Sequence, residues 1–231
     1  MYLEIESEFF PGSTDINCNF IFSPKSAILL RMTPLSEMSY KKATQALNFF
    51  ALKKDGKINK MKAIKLIYLA DRLHLRKYGR PIVGDKYFAM KYGPVGSVTL
   101  NIANLSHKLS KNTILYAKRY VKPIDKKTFA SAHPLETNLF SKTDMECLES
   151  IYKEFSDKDQ FELADITHTY SEWLKHEKRL DSGSKSVKMD YDDFFIDIEK
   201  KGTIFYQGKE ILNGAKDVFI ESQQVNKFFA Q

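Results

Sequence analysis

The sequence is poor in the features that mark catalysis, secretion or membrane insertion. Of its 231 residues only two are cysteine, Cys18 and Cys147, 129 positions apart. Such a pair builds no disulfide framework and points to a reducing cytosol. No apolar run approaches the ~18 residues that a membrane helix needs. The opening MYLEIESEFF lacks the basic n-region of a secretory signal, so a cytoplasmic location and no membrane partner are expected. There is no P-loop, no G-x-S-x-G, no H-E-x-x-H and no paired C-x-x-C. Neither cysteine sits in a nucleophile motif, no helix-turn-helix signature is evident, and no internal repeat is found. A non-enzyme without a cofactor is the expectation.

What is present is the composition of an ordinary soluble domain, 43% hydrophobic and 28% charged. The chain is long enough for one domain with a proper core, or one domain with appendages. Seventeen Phe and twelve Tyr supply large anchors for a core or a partner surface. The net charge of +7 and pI of about 9.1 favour acidic partners or nucleic acid in principle, although the charge is spread rather than massed.

The chain is organised around Lys60–Val98. Ala63, Leu66, Ile67, Ala70 and Leu73 recur at helical spacing, and Ile64, Tyr68 and Leu75 widen the face, so the helix should meet neighbours on more than one side. Gly79 is placed to stop it and Pro81 to keep the chain extended. Ile82 and Val83, then Tyr87, Phe88 and Ala89, read as two short strands with Gly84-Asp85 near the turn. Gly93-Pro94 is expected to end the second strand and open a helix, with proline near its first position. In that helix Val95, Val98, Ile102, Leu105 and Leu109 form an apolar seam.

These residues also carry a resemblance. The motifs K-L-x-Y-L-A-D (Lys65–Asp71), Y-G-R-P (Tyr78–Pro81), G-D-x-Y (Gly84–Tyr87) and K-Y-G-P-V (Lys91–Val95) closely resemble the Panacea domain, the SocA-like antitoxin family. A looser likeness is ELADITHTYSEW at Glu162–Trp173, where that family tends to carry a leucine-rich turn, a histidine and a tryptophan. Together they span roughly residues 40–180. The resemblance implies an antitoxin that neutralises a co-encoded protein toxin by direct contact. In the SocA-like case it also implies an adaptor delivering that toxin to a bacterial AAA+ protease, from a gene of bacterial, phage or mobile-element origin. It further implies structural roles for Asp71, Gly79, Pro81, Gly84, Asp85, Gly93, Pro94, His168 and Trp173.

The organisation expected is an extension at 1–38, a helical domain at 39–180 and a variable C-terminal segment at 181–231 packing on it. For 1–38, broken by Pro11-Gly12-Ser13 and Ser23-Pro24, three readings stand: a docking arm, a disordered segment, or a misplaced start with Met32 or Met38 as the initiator. Ser39 is placed to cap a helix to about Lys54, with Ala43, Ala46, Leu47 and Phe50 inward and Asp55-Gly56 ending it. Thr113–Val121 reads as a strand closed by Pro123, and a further short strand is expected near Leu135–Phe140. Ser141-Lys-Thr-Asp144 resembles a capping box that opens a helix to about Phe155, with Met145, Leu148, Tyr152 and Phe155 inward. Phe161, Leu163 and Ile166 belong to a further helix, continuing bent to Lys178. Ser182-Gly-Ser184 reads as a connector, Phe194, Phe195 and Ile198 as anchors of a short helix, and Asp217–Phe229 as a terminal helix. The fold class expected is α+β, mainly α-helical, a compact helical domain with a small hairpin or short antiparallel sheet.

Several side chains are candidates for function. Asp71 points a carboxylate toward an apolar stripe and must find donors: a backbone amide, a tyrosine hydroxyl or an arginine such as Arg80. His74 reads as a core histidine. Lys62, Lys65, Arg72 and Arg76 fall on one helical stripe interrupted only by Leu69. That stripe is either a solvated basic face or a contact surface for an acidic partner with Leu69 at its apolar centre. Tyr87, Phe88 and Tyr92 lie on a hairpin that invites pairing, so alternate residues should be core and the others face a partner. Two rival functions remain open. One is a nucleic-acid-binding regulator of a phage or mobile element. The other is a metal-dependent enzyme, from His168, Glu172 and His176 on one helical face or from Asp197-Ile-Glu199-Lys200-Lys201 following Asp190, Asp192 and Asp193.

Overall fold

A computed structural model describes residues 35–131, 133–196 and 199–230. The three readings of the N-terminal extension therefore lie outside the described residues, apart from its last four positions, which are already helical. Helix α1 is Leu35–Lys53. It begins ahead of Ser39, whose hydroxyl instead donates to Val83 O at 3.0 Å. Ala43, Ala46, Leu47 and Phe50 are fully buried, as their spacing implies. Asp55 and Gly56, both at positive φ, turn the chain into strand β1, Lys57–Asn59.

Helix α2, Lys60–Tyr78, is the axis of the molecule. Asn59 caps it, accepting from Met61 N at 2.9 Å and Lys62 N at 3.2 Å. Helices before and after it in the chain pack against it on several sides, so every residue from Lys62 to Arg76 is buried. That enclosure explains why its apolar face is too broad for a single interface. Gly79 ends the helix at φ 71 and its N–H donates to Leu75 O at 2.9 Å. A Cβ there would press on Ala215 O and the Val218 side chain of the C-terminal helix. Gly79→Ala is therefore expected to cost about 1–3 kcal/mol, from left-handed strain and displacement together. Urea unfolding would measure the loss, and hydrogen exchange should quicken first in residues 209–226.

The hairpin differs from the sequence reading. Strand β2, Tyr87–Met90, pairs antiparallel with β3, Gly93–Gly96, in the register Tyr87↔Gly96 and Met90↔Gly93. Ile82 and Val83 form no strand, because their amides are taken by Asp71. Gly93-Pro94 lies within β3, and helix α3, Ser97–Ala103, starts beyond it. Its capping acid is remote in sequence: Asp85 accepts from Val98 N at 2.9 Å and from Thr99 N and Oγ1, each at 2.7 Å. Leu105, at φ 46, ends the helical stretch before the seam reaches Leu109.

Thr113–Val121 is the clearest reversal. Ser110 accepts from Thr113 N at 3.1 Å and nucleates helix α4, Lys111–Tyr120, leaving only Val121–Pro123 as strand β4. Thr113, Ala117 and Tyr120 recur at helical spacing on the buried face, and capping with burial overrides β propensity. The remaining strand of this sheet is β5, Thr128–Ser131, giving the order β1-β5-β4. Leu135–Phe140 is not a strand; Thr137–Leu139 is a 3-10 turn.

Helix α5, Lys142–Phe155, has the expected capping box of Ser141 and Asp144. The expected bent helix is three pieces: α6 Gln160–His168, α7 Ser171–Leu174 and α8 Glu177–Asp181. The connector then delivers an unanticipated strand, β6 Ser186–Lys188, which completes the second sheet in the order β3-β2-β6. Phe194 and Phe195 are buried in a 3-10 turn, Tyr191–Phe195; Ile198 lies outside the described residues. The terminal helix α9 starts earlier than expected, at Lys209, runs to Ala230 and packs on α2 through Leu212, Ala215 and Phe219. The fold is mainly helical α+β with two small three-stranded antiparallel sheets.

Candidate partner-binding groove

The motif residues first build a rigid hairpin. Asp71 is completely buried; its Oδ1 accepts from Ile82 N at 2.9 Å and Val83 N at 2.8 Å, and its Oδ2 from Gly84 N at 3.1 Å and Tyr87 Oη at 2.8 Å. Four donors converge on one carboxylate, and they tie the loop after α2 to the strand that follows. Burial pushes the Asp71 carboxyl up to about 6 against the pull of those donors. Arg80 is not among its partners, since its Nη1 reaches Asp144 at 2.9 Å. Trp173 Nε1 donates to Met90 O at 3.0 Å and the ring stacks on His168 at 3.9 Å, so this pair braces the far end of β2. His74 is held neutral because burial lowers it to about 4. Its Nδ1–H donates to Arg80 O at 2.7 Å and its Nε2 accepts from the Thr143 hydroxyl at 3.0 Å.

The basic stripe is not a surface. Lys65, Leu69, Arg72 and Arg76 have no exposure at all and Lys62 has 7%, which corrects both readings of it. Lys62 Nζ donates to Ser156 O at 2.8 Å. Arg72 Nε meets Glu172 Oε1 at 2.7 Å, its Nη1 lies 2.8 Å from Glu199 Oε1, and its guanidinium stacks 3.8 Å above Tyr170. Arg76 donates to Phe205 O and Phe194 O at 3.0 and 2.8 Å. Both arginines therefore clamp the C-terminal segment onto α2. A helix wrapped on all sides has no polar face, and its long cations are neutralised by carbonyls and carboxylates that arrive from distant sequence.

Lys65 is the most deeply buried lysine of the stripe. Its ammonium donates to Pro94 O at 3.0 Å and no carboxylate faces it among the described residues, so burial depresses it to about 7. The unfolded chain holds this proton up to about pH 10, so stability should rise as pH increases from about 7 to 10. Lys65→Met is expected to flatten that rise, read from urea midpoints across the window. Gly93, at φ 87, lies against this ammonium and the Thr167 hydroxyl, and any Cβ there would collide with both.

Burial alternates along β2, with Tyr87 2% exposed and Phe88 half-buried, while Tyr92, in the turn beyond it, is 54% exposed. Tyr92 packs edge-on against Phe161, itself 55% exposed, at 6.4 Å between centroids. The two rings line a groove of about 660 Å³ between the start of α2, the turns that join β2 to β3 and β4 to β5, α3 and the start of α6. Its apolar surface comes from Met61, Ile64, Val95 and Leu100 with those rings, and its lining includes Lys60, Lys91, Lys126, Lys127 and Lys185 but no Asp or Glu. Sequence reasoning named Lys65 and Tyr92, which both line the groove, and missed Phe161 and the five other lysines. The one available signal was an aromatic two residues after the polar cap Asp159, in the first turn of α6.

The metal readings find no support in the geometry. Helix breaks separate His168, Glu172 and His176, and Glu172 is engaged by Tyr68 Oη at 2.6 Å and by Arg72. Glu199 faces Arg72, Asp193 pairs with Lys175 at 2.8 Å, and Asp197 lies outside the described residues. No three His, Cys, Asp or Glu side chains converge among the described residues. Cys147 is buried and its thiol is pushed up to about 11. No described helix is long and apolar enough to cross a membrane.

Residues 64–174 match the model of the antitoxin SocA-like, Panacea domain. The match covers a little under half of the chain, and this part of it is similar to the Panacea domain of that antitoxin family. No curated protein and no solved structure matches the chain.

Proposed function

We propose that the protein is the antitoxin of a toxin–antitoxin pair and neutralises its toxin by stoichiometric contact. The observation that carries this reading is the match of residues 64–174 to the Panacea domain, whose motif residues are consumed in holding the scaffold rigid. Tyr92, Phe161 and the groove behind them are what that scaffold presents to a partner. Co-expression with the product of the adjacent gene tests the proposal. That product should be toxic alone, harmless beside this chain, and recovered with it at one-to-one stoichiometry; persistent toxicity with no recovered complex would reject it. Delivery of the bound toxin to an AAA+ protease extends the proposal. It requires the toxin's half-life in cells to fall when this chain is present.

A further inference from the structure

The groove beside Tyr92 has a chemical signature that narrows its occupant. Lys91, Lys126, Lys127 and Lys185 are exposed and Lys60 half-buried, and none forms an ion pair with a carboxylate among the described residues. Lys60 hydrogen-bonds Asn104 Oδ1 at 3.3 Å and also feels the charge of Asp125. The acids that flank the groove in sequence are already used by backbone amides. Asp125 accepts from Lys127 N and Thr128 N, Asp159 from Phe161 N and Glu162 N, and Glu162 from Asp159 N. The first turn of α2, which ends in this groove, carries no acid either, so its positive dipole end adds to the lysine field rather than offsetting it. Lys91, Lys126, Lys127 and Lys185, exposed beside Lys60 around an apolar trough, leave an excess of positive charge that a partner of opposite sign would relieve.

The trough itself excludes two occupants. Its surface is mainly aliphatic and aromatic, which suits buried side chains and not a phosphate backbone. The adjoining edge of β3 offers no free carbonyl at Pro94, which is taken by Lys65, so an added strand has a poor template there. Resting on the reading that the chain neutralises a partner protein, we infer that this groove takes an acidic amphipathic helix of that partner. Its apolar side chains enter beside Met61, Tyr92, Leu100 and Phe161, and its carboxylates meet the lysine rim.

The test uses the full-length chain and a synthetic peptide of about 18 residues, with Leu on one helical face and Glu on the others. Its controls are the same peptide with Lys for Glu and a single-stranded oligonucleotide of similar length. Fluorescence anisotropy should show binding of the acidic peptide alone. The triple variant Lys91→Glu, Lys126→Glu, Lys127→Glu should weaken it about tenfold or more, and Phe161→Ser likewise. The equally exposed triple Lys118→Glu, Lys178→Glu, Lys201→Glu should leave binding unchanged, and circular dichroism should show all variants folded. The inference is overturned if the acidic peptide does not bind or binds the groove variants equally well. It is also overturned if the oligonucleotide binds through the same lysines, or if sedimentation shows a second copy of the chain in the groove. Failure of neutralisation in cells would strike the functional proposal and leave this measurement standing, so the two are separable.

Discussion

Asp71→Ala is expected to leave no folded protein at 37 °C. The substitution strips the partner from three amides and one phenol, all at a site without exposure. A buried donor left unsatisfied costs about 1–3 kcal/mol, so four approach the whole stability of a domain, about 5–15 kcal/mol. Asp71→Asn should be milder, because its carbonyl still serves Ile82 and Val83 while its NH2 confronts Gly84 N–H. The pair of proteins also separates charge from shape. In the folded state the Asp71 carboxyl titrates near 6, above its value in an unfolded chain. The folded state thus takes up this proton first, and Asp71's contribution to stability declines as pH rises from about 4 to 6. The advantage of wild type over Asp71→Asn should accordingly be larger at pH 4 than at pH 7. Equal advantages at the two pH values in urea titrations would refute that account.

Arg72→Met is the second large effect. It leaves Glu172 buried with only the Tyr68 and Ser171 hydroxyls as partners, and it releases Glu199 from its guanidinium. Breaking a buried pair from one side costs about 3–5 kcal/mol, whereas replacing both partners with apolar side chains of similar volume is often neutral. Arg72→Met with Glu172→Leu should therefore recover most of the loss, and a double-mutant cycle in urea would show the coupling. A single variant as stable as wild type would refute the clamp. Because the same guanidinium faces Glu199 just ahead of α9, the single variant should also speed proteolysis in residues 199–208, where an intact clamp protects.

The comparison of sequence and structure turns on what each residue's environment adds. Gly79, the Ser141 capping box and the inward face of α1 were legible because each depends on neighbours within a few residues. Asp71 was legible as an organising anion, since a carboxylate on an apolar stripe has to recruit donors. Both kinds of partner it has, backbone amides and a tyrosine hydroxyl, were among those foreseen; the third alternative, Arg80, pairs with Asp144 instead. The stripe of Lys62, Lys65, Arg72 and Arg76 misled because charge on a helix ordinarily marks solvent, and nothing local reveals that Glu172, Glu199 and the carbonyls near Phe194 will arrive to cover it. The strand at Ser186–Lys188 was invisible for the same reason: three residues become a strand only when β2 offers an edge.

By itself the sequence determined the class of fold, the axis at Lys60–Tyr78 and the motifs by which residues 64–174 match the Panacea domain model. Those are properties of spacing and of single side chains with fixed conformational or hydrogen-bonding demands. Only the tertiary structure decided which cations are interior and which face water, and therefore that Lys65, Arg72 and Arg76 are buried while Lys91, Lys126 and Lys127 stand exposed around the groove. Burial is set by segments far apart in the chain, and a lysine's letter is the same on either side of that boundary.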